Sequence, residues 1–179
     1  MALFEEGQAR LGVDRTVIHP LWIPGGEVGP HDIALLRTAT AIAFSATIQP
    51  IRLPAADVIP TGSATVAGWG QTGGTIVAQM PDILQKTVLP LISMETCRAA
   101  AANAGITRDP LDDTNVCTGP LTGGTAVCSG DSGSPLIQGD VAIGLVSWGW
   151  SPCGSVGVPT GVFKRNSAYI DWININAVV

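Results

Sequence analysis

The segment Cys128-Ser-Gly-Asp-Ser-Gly-Ser-Pro-Leu136 carries the residues best suited to covalent chemistry. A nucleophilic serine needs a turn of small residues that exposes its hydroxyl, and backbone N–H groups aimed at a developing oxyanion. Gly130 and Gly133 flank Asp131-Ser132 and permit a bend that bulkier residues resist. The residue two after Ser132 is Ser134 and not glycine, so the nucleophile elbow of α/β-hydrolases is not matched. Taken alone, these residues suit an ordinary turn equally well. The chain has two histidines, His19 and His31, and the second adjoins Asp32. Its four cysteines form no Cys-x-x-Cys pair and read as two disulfides rather than a zinc site, so no metal and no cofactor are expected.

Short strands joined by Gly- and Pro-rich turns are what would position such a serine. The pattern predicts strands over Gln8–His19, Ile33–Arg37, Ala64–Trp69, Gln85–Leu91, Ser134–Ile137, Val141–Trp148 and Gly161–Lys164. Such a series is typical of sandwiches and barrels, which makes the chain mostly β. Two helices are expected as well. Ser93 offers an N-cap to an alanine-rich run that stops at Gly105. Near the end, Asn166 or Ser167 is expected to cap Ala168–Asn176, with Tyr169, Trp172 and Ile173 on one face packed against a barrel. Pro50–Gly62 is the only obvious seam along the chain.

Composition narrows the function classes. Of 179 residues only 13% are charged and 46% are hydrophobic, which favours a globular core over disorder. A net charge of −5 without a basic stripe excludes nucleic acid as a partner, because nothing neutralises phosphates. The uncharged run Val141–Phe163 is long enough to span a bilayer. Five glycines and two prolines interrupt it, so buried strands are expected there and no membrane partner. The start, Met1-Ala-Leu-Phe-Glu-Glu, lacks the basic and apolar regions of a signal peptide.

In this setting the chain resembles the trypsin/chymotrypsin family of serine endopeptidases, with its landmarks in order. They are His31-Asp-Ile-Ala-Leu-Leu36, Ala67-Gly-Trp-Gly70, Asn115-Val-Cys-Thr-Gly119, Gly130-Asp-Ser-Gly-Ser-Pro135, Ser147-Trp-Gly149, Thr160-Gly-Val-Phe163 and Tyr169-Ile-Asp-Trp-Ile173. The resemblance implies an all-β double antiparallel barrel with a C-terminal helix. Residues 1–53 would be the last part of an incomplete first barrel, 54–165 a complete second barrel and 166–179 the helix, all one peptidase domain. It implies Ser132 as nucleophile and Asp32 as the acceptor that orients an imidazole, the roles of the Ser-His-Asp triad. Gly130 and Ser132 N–H would form the oxyanion hole. Ser147, Trp148 and Gly149 would pair with substrate as an added strand. Asp131 resembles the aspartate that binds a freshly cut α-amino terminus. Cys97 with Cys117, and Cys128 with Cys153, match two family disulfides. Ala126 would lie at the base of the primary specificity pocket, with Val127 beside it and Gly149 and Gly161 on its walls. An alanine cannot pair with Lys or Arg, so large apolar or aromatic P1 residues are expected.

The family's general base is missing from this pattern. In the template a histidine lies roughly forty-five residues before the aspartate, whereas 31 residues precede Asp32. His19 matches a surface His-Pro, and His31 points away from its neighbour Asp32 on an extended chain. The expectation is an N-terminally truncated, secreted family member that is inert alone, monomeric, with protein or peptide substrates and protease inhibitors as partners. The alternative is a non-catalytic homologue acting as a regulatory binding protein.

Overall fold

The computed structural model describes residues 9–25, 28–73, 79–106 and 110–177. The first residue of the strand expected from Gln8, the segment Met1–Glu6 and the last two valines lie outside them. β1 (Val13–Ile18) and β2 (Ala34–Thr38) pair antiparallel as a two-stranded ribbon. The other six strands close into a barrel: β3 (Ser63–Gly68), β4 (Gln85–Ile92), β5 (Asn115–Thr118), β6 (Pro135–Gln138), β7 (Val141–Trp148) and β8 (Gly161–Arg165). Their order is β3-β4-β5-β8-β7-β6, all antiparallel, with β6 returning to β3. The architecture is therefore mostly β, with one closed barrel, one open sheet and a short C-terminal helix.

Period-two burial explains the barrel. In β3, Ala64 and Val66 face inward and join Leu89, Val116, Leu136, Ile143, Val146 and Phe163 in one core. The uncharged run Val141–Phe163 is β7, an irregular turn and the start of β8, and among the described residues no helix is long and apolar enough to cross a membrane. Gly144 is required within β7, since a Cβ there would meet the Lys164 carbonyl at 3.0 Å and Phe163 Cβ at 3.2 Å. β5 was not among the expected strands. Its four residues are all buried and include Asn115 and Cys117, so no apolar-polar alternation marks it.

The helices follow their caps in one case and not in the other. Ser93 Oγ accepts the Thr96 N–H at 3.0 Å and starts α1 (Met94–Asn103), while Gly105 takes the left-handed backbone that ends it. At the C-terminus the expectation of a cap from Asn166 or Ser167 is corrected. Residues Asn166–Tyr169 form a 3-10 turn, and α2 (Ile170–Asn176) begins after it with no side-chain cap. The two candidate caps are engaged elsewhere: Asn166 Nδ2 donates to the Ala142 carbonyl, and Ser167 Oγ donates to the Val58 carbonyl. Tyr169 and Ile173 do share a buried face, but it packs with Ile33 and Leu35 of the ribbon segment as well as Leu145 of β7. The helix thus clamps the ribbon to the barrel.

The stretch at Pro50–Gly62 is tied down rather than loose. Arg52 N donates to the Asp140 carbonyl, the Arg52 carbonyl accepts from Ala142 N, and the guanidinium pairs with the Asp140 carboxylate. Cys97–Cys117 and Cys128–Cys153 are bonded, with separations of 20 and 25 residues. Closing loops of that size is worth about 3 kcal/mol each in the chain-entropy model. Ile18 and Leu36 of the ribbon are 57% and 64% exposed, and Phe44, beyond it in the chain, is 60% exposed.

Candidate active site

Ser132 is exposed on a turn whose geometry depends on its two glycines. Gly130 and Gly133 have φ of 97° and 82°, in the left-handed region that disfavours a side chain. Asp131 N donates to the Cys128 carbonyl and Ser134 N to the Asp131 carbonyl, which closes the bend. Gly133 N donates to the Val146 carbonyl at 2.8 Å, and Val146 N to the Ser134 carbonyl at 2.9 Å, so the turn is pinned to β7.

Asp131 points the other way, into the protein. Its carboxylate accepts Gly70 N–H through Oδ1 at 2.8 Å and Cys128 N–H through Oδ2 at 2.9 Å. A Cβ on Gly70 would lie 2.3 to 2.5 Å from the carboxylate atoms, so only glycine fits against it. Gly70→Ala should expel the carboxylate, break both hydrogen bonds and cost about 2 kcal/mol, the middle of the range for overpacking. Urea unfolding would measure it, and an unchanged midpoint would refute the steric reading.

A cavity of about 450 Å³ opens beside Ser132, and Val127, Cys128, Ser129, Trp148 and Gly149 share its lining. Gln71 and Trp150, which the sequence did not single out, line it too. Ala126 does not reach this slot. It lines a separate cavity of about 290 Å³ together with Asp131 and Gly70. Val127, whose N–H donates to the Thr160 carbonyl at 3.0 Å, lines both the slot and this second cavity. Gly161 lies behind Val127, whose Cγ2 would be 2.5 Å from a Cβ placed there.

Asp32 is brought to the same side of the barrel by β7. Ser147 Oγ donates to Asp32 Oδ2 at 2.7 Å, a contact between residues 115 apart in the chain. The sequence marked Ser147 for its backbone, and no local pattern marked its hydroxyl. Behind this pair lies Lys164 of β8, with a side chain that is 0% exposed and Nζ 3.4 Å from Asp112 Oδ2. Burial holds its ammonium below the ordinary lysine range, opposed by Asp112 and more weakly by Asp32.

The two histidines lie away from the slot. Their rings stack at 4.5 Å and 6°, with the Tyr169 ring at the edge of both. Neither lines the cavity at Ser132. Among the described residues no group of three His, Cys, Asp or Glu side chains is placed to hold a metal.

The family model described as Trypsin matches residues 1–173. Trypsin-1 of Astacus astacus is 35% identical over 184 residues, covering 99% of this chain and 72% of that protein. Human kallikrein-12 is 35% identical over 161 residues, covering 89% of this chain and 61% of the kallikrein. The fold is similar to that of neuropsin, a serine protease expressed in the limbic system of mouse brain. The TM-score is 0.82 at 25% identity, over 94% of this chain and 72% of that one.

Proposed function

The chain belongs to the trypsin family of serine proteases, and from that premise we propose that its activity is peptide-bond hydrolysis through an acyl-enzyme formed on Ser132. Asp32 is the acceptor that orients the imidazole of the general base, and Gly130 and Ser132 N–H receive the oxyanion. The observation that carries this reading is the hydrogen bond from Ser147 to Asp32. It ties the acidic group to the strand whose next residues, Trp148 and Gly149, share the slot with Ser132.

The slot favours an apolar P1 side chain such as Phe, Tyr, Leu or Met. No carboxylate is among its described lining residues, and Val127 and Trp148 supply apolar contact. A cation buried there without a partner would be unfavourable. The cavity beside Asp131 suits an incoming α-amino group, which would compete with Gly70 and Cys128 for the carboxylate. Two disulfides suit a secreted, monomeric enzyme acting on protein substrates and met by protease inhibitors.

The isolated chain is close to inert in this reading, because its only two imidazoles, His19 and His31, are engaged with each other. The same observation favours a second reading, a non-catalytic homologue that binds peptides through the slot. A fluorophosphonate probe and chromogenic peptides ending in Phe or Arg test the inert state that both readings share. The purified chain should label slowly and show no turnover above background. Fast labelling of Ser132 with turnover would overturn the inert reading. In a family member given the same slot and a histidine, preference for Arg over Phe would overturn the pocket assignment.

A further inference from the structure

We propose that the stack of His19 on His31 is a positioning latch for Asp32, closed while the His19 ring is neutral and opened when it takes up a proton. Its bearing on catalysis rests on the reading of Asp32 given above; the latch itself does not.

Asp32 is bracketed by groups that fix its backbone. On one side His31 has φ of 63°, a left-handed conformation that a residue with a side chain adopts only when its surroundings hold it there. Its N–H donates to Tyr169 Oη at 3.2 Å, and that oxygen donates in turn to Thr114 Oγ1 at 3.0 Å. On the other side Ile33 is buried against Tyr169 and Ile173, and its N–H donates to the His31 carbonyl at 2.8 Å. That bond closes a tight turn around Asp32 and leaves its carboxylate on Ser147. His19 N–H donates to the Ile33 carbonyl at 3.1 Å, so both ends of the stack hold the turn.

The stack is built on a neutral His19 ring. His19 Nδ1 accepts the Leu21 N–H at 3.3 Å, which places the proton of the neutral ring on Nε2. A proton on Nδ1 would end that bond. Protons on both rings would set two cations face to face across 4.5 Å in a half-buried site. Of the groups facing the pair, the Tyr169 hydroxyl lies 3.5 Å from His31 Nδ1. Tyr169 comes from the 3-10 turn and Trp172 from α2. Asp112 and Arg165 act on the Tyr169 phenol. Asp32 is turned to Ser147, with Lys164 beyond it, and among the described residues no carboxylate forms an ion pair with either ring. Burial first, and the charge on His31 second, hold His19 below the ordinary imidazole range. The opened form therefore binds the proton more tightly. The latch is fully stable above about pH 6.5 and weakens as pH falls through the lowered value.

The chain holds only two histidines, so ring-labelled NMR yields two titration curves, assigned by His19→Phe and His31→Asn. Asparagine tolerates the left-handed backbone, and phenylalanine keeps a ring in the stack, so either variant can report if the other fails to fold. In His31→Asn the His19 midpoint should move up. In the unaltered chain the Ile33 amide should lose hydrogen-exchange protection as His19 becomes charged, and in His19→Phe it should keep that protection to lower pH. An unmoved His19 midpoint, or an Ile33 amide still protected after His19 is charged, overturns the latch. None of these signals needs turnover, so loss of the peptidase reading and loss of the latch are told apart.

Discussion

Changing Ser132 to alanine should lower kcat by about a millionfold once the chain is supplied with a general base, since a nucleophile and its base act as a unit and removing either removes nearly all of the effect. The experiment extends the chain N-terminally with the histidine-bearing strands that the family resemblance implies. Initial rates on a Phe-ending peptide then compare four proteins: with and without the added histidine, and with and without Ser132. The histidine should raise kcat by a similar factor when Ser132 is present and do nothing when it is absent. That non-additivity is the signature of one catalytic unit. Ser132 is exposed, so the substitution leaves the fold in place. Asp32→Asn in the same background should cost about ten-thousandfold, because the carboxylate sets the tautomer of the base. A Ser132→Ala protein that keeps more than a few per cent of the rate would remove Ser132 from the chemistry.

The second large effect concerns stability. Lys164→Ala should destabilise the fold by about 3–5 kcal/mol, because it empties a fully buried volume and strips Asp112 of its cation. At roughly 2–4 °C per kcal/mol this lowers the midpoint of thermal unfolding by about 10 °C. Lys164→Met should cost far less, since it fills the same space and removes the desolvation of an ammonium. The pH dependence separates charge from volume. Burial lowers the lysine's proton affinity in the fold, so the unfolded chain binds that proton more tightly. The penalty is complete below the lowered value and disappears as pH rises toward the ordinary lysine value of about 10.4. The unaltered protein should therefore gain stability from Lys164 over that alkaline window, against the loss that Tyr169 contributes above pH 10.0 because burial raises its phenol. Urea titrations of the unaltered and methionine proteins at two alkaline pH values would show the difference. Equal pH slopes would mean that Lys164 is not desolvated.

What the sequence made legible was whatever a local pattern encodes. The strand over Val141–Trp148 has the same bounds in the structure, because an apolar run between Gly139-Asp140 and Gly149 leaves no other ends. The shared face of Tyr169 and Ile173 followed from helical spacing, and the α1 cap from one serine. Contacts between distant segments left no such mark. Nothing near Asp32 announces Ser147, and nothing near Lys164 announces that β8 is buried on both faces, with Phe163 in the barrel core and Val162 packed outside it. The orientation of Ala126 left no mark either. Counting back from Ser132 locates a residue along the chain but not the side of an extended segment on which it projects, and here Val127 lines both the slot and the cavity beside Asp131 that Ala126 also lines.

The clamp between ribbon and helix has a consequence for how the chain is made. His31 meets Tyr169 across 138 residues, so the ribbon is synthesised long before the side chain that holds it. At ordinary elongation rates that interval is about 7–28 s. During it, Ile33, Leu35 and the strand edges are available to chaperones, and the barrel strands emerge in the meantime without the ribbon docked on them. Slowing the ribosome over the last codons, or removing residues after Arg165, should leave nascent chains trapped with an undocked ribbon, while the barrel residues 63–165 are already complete.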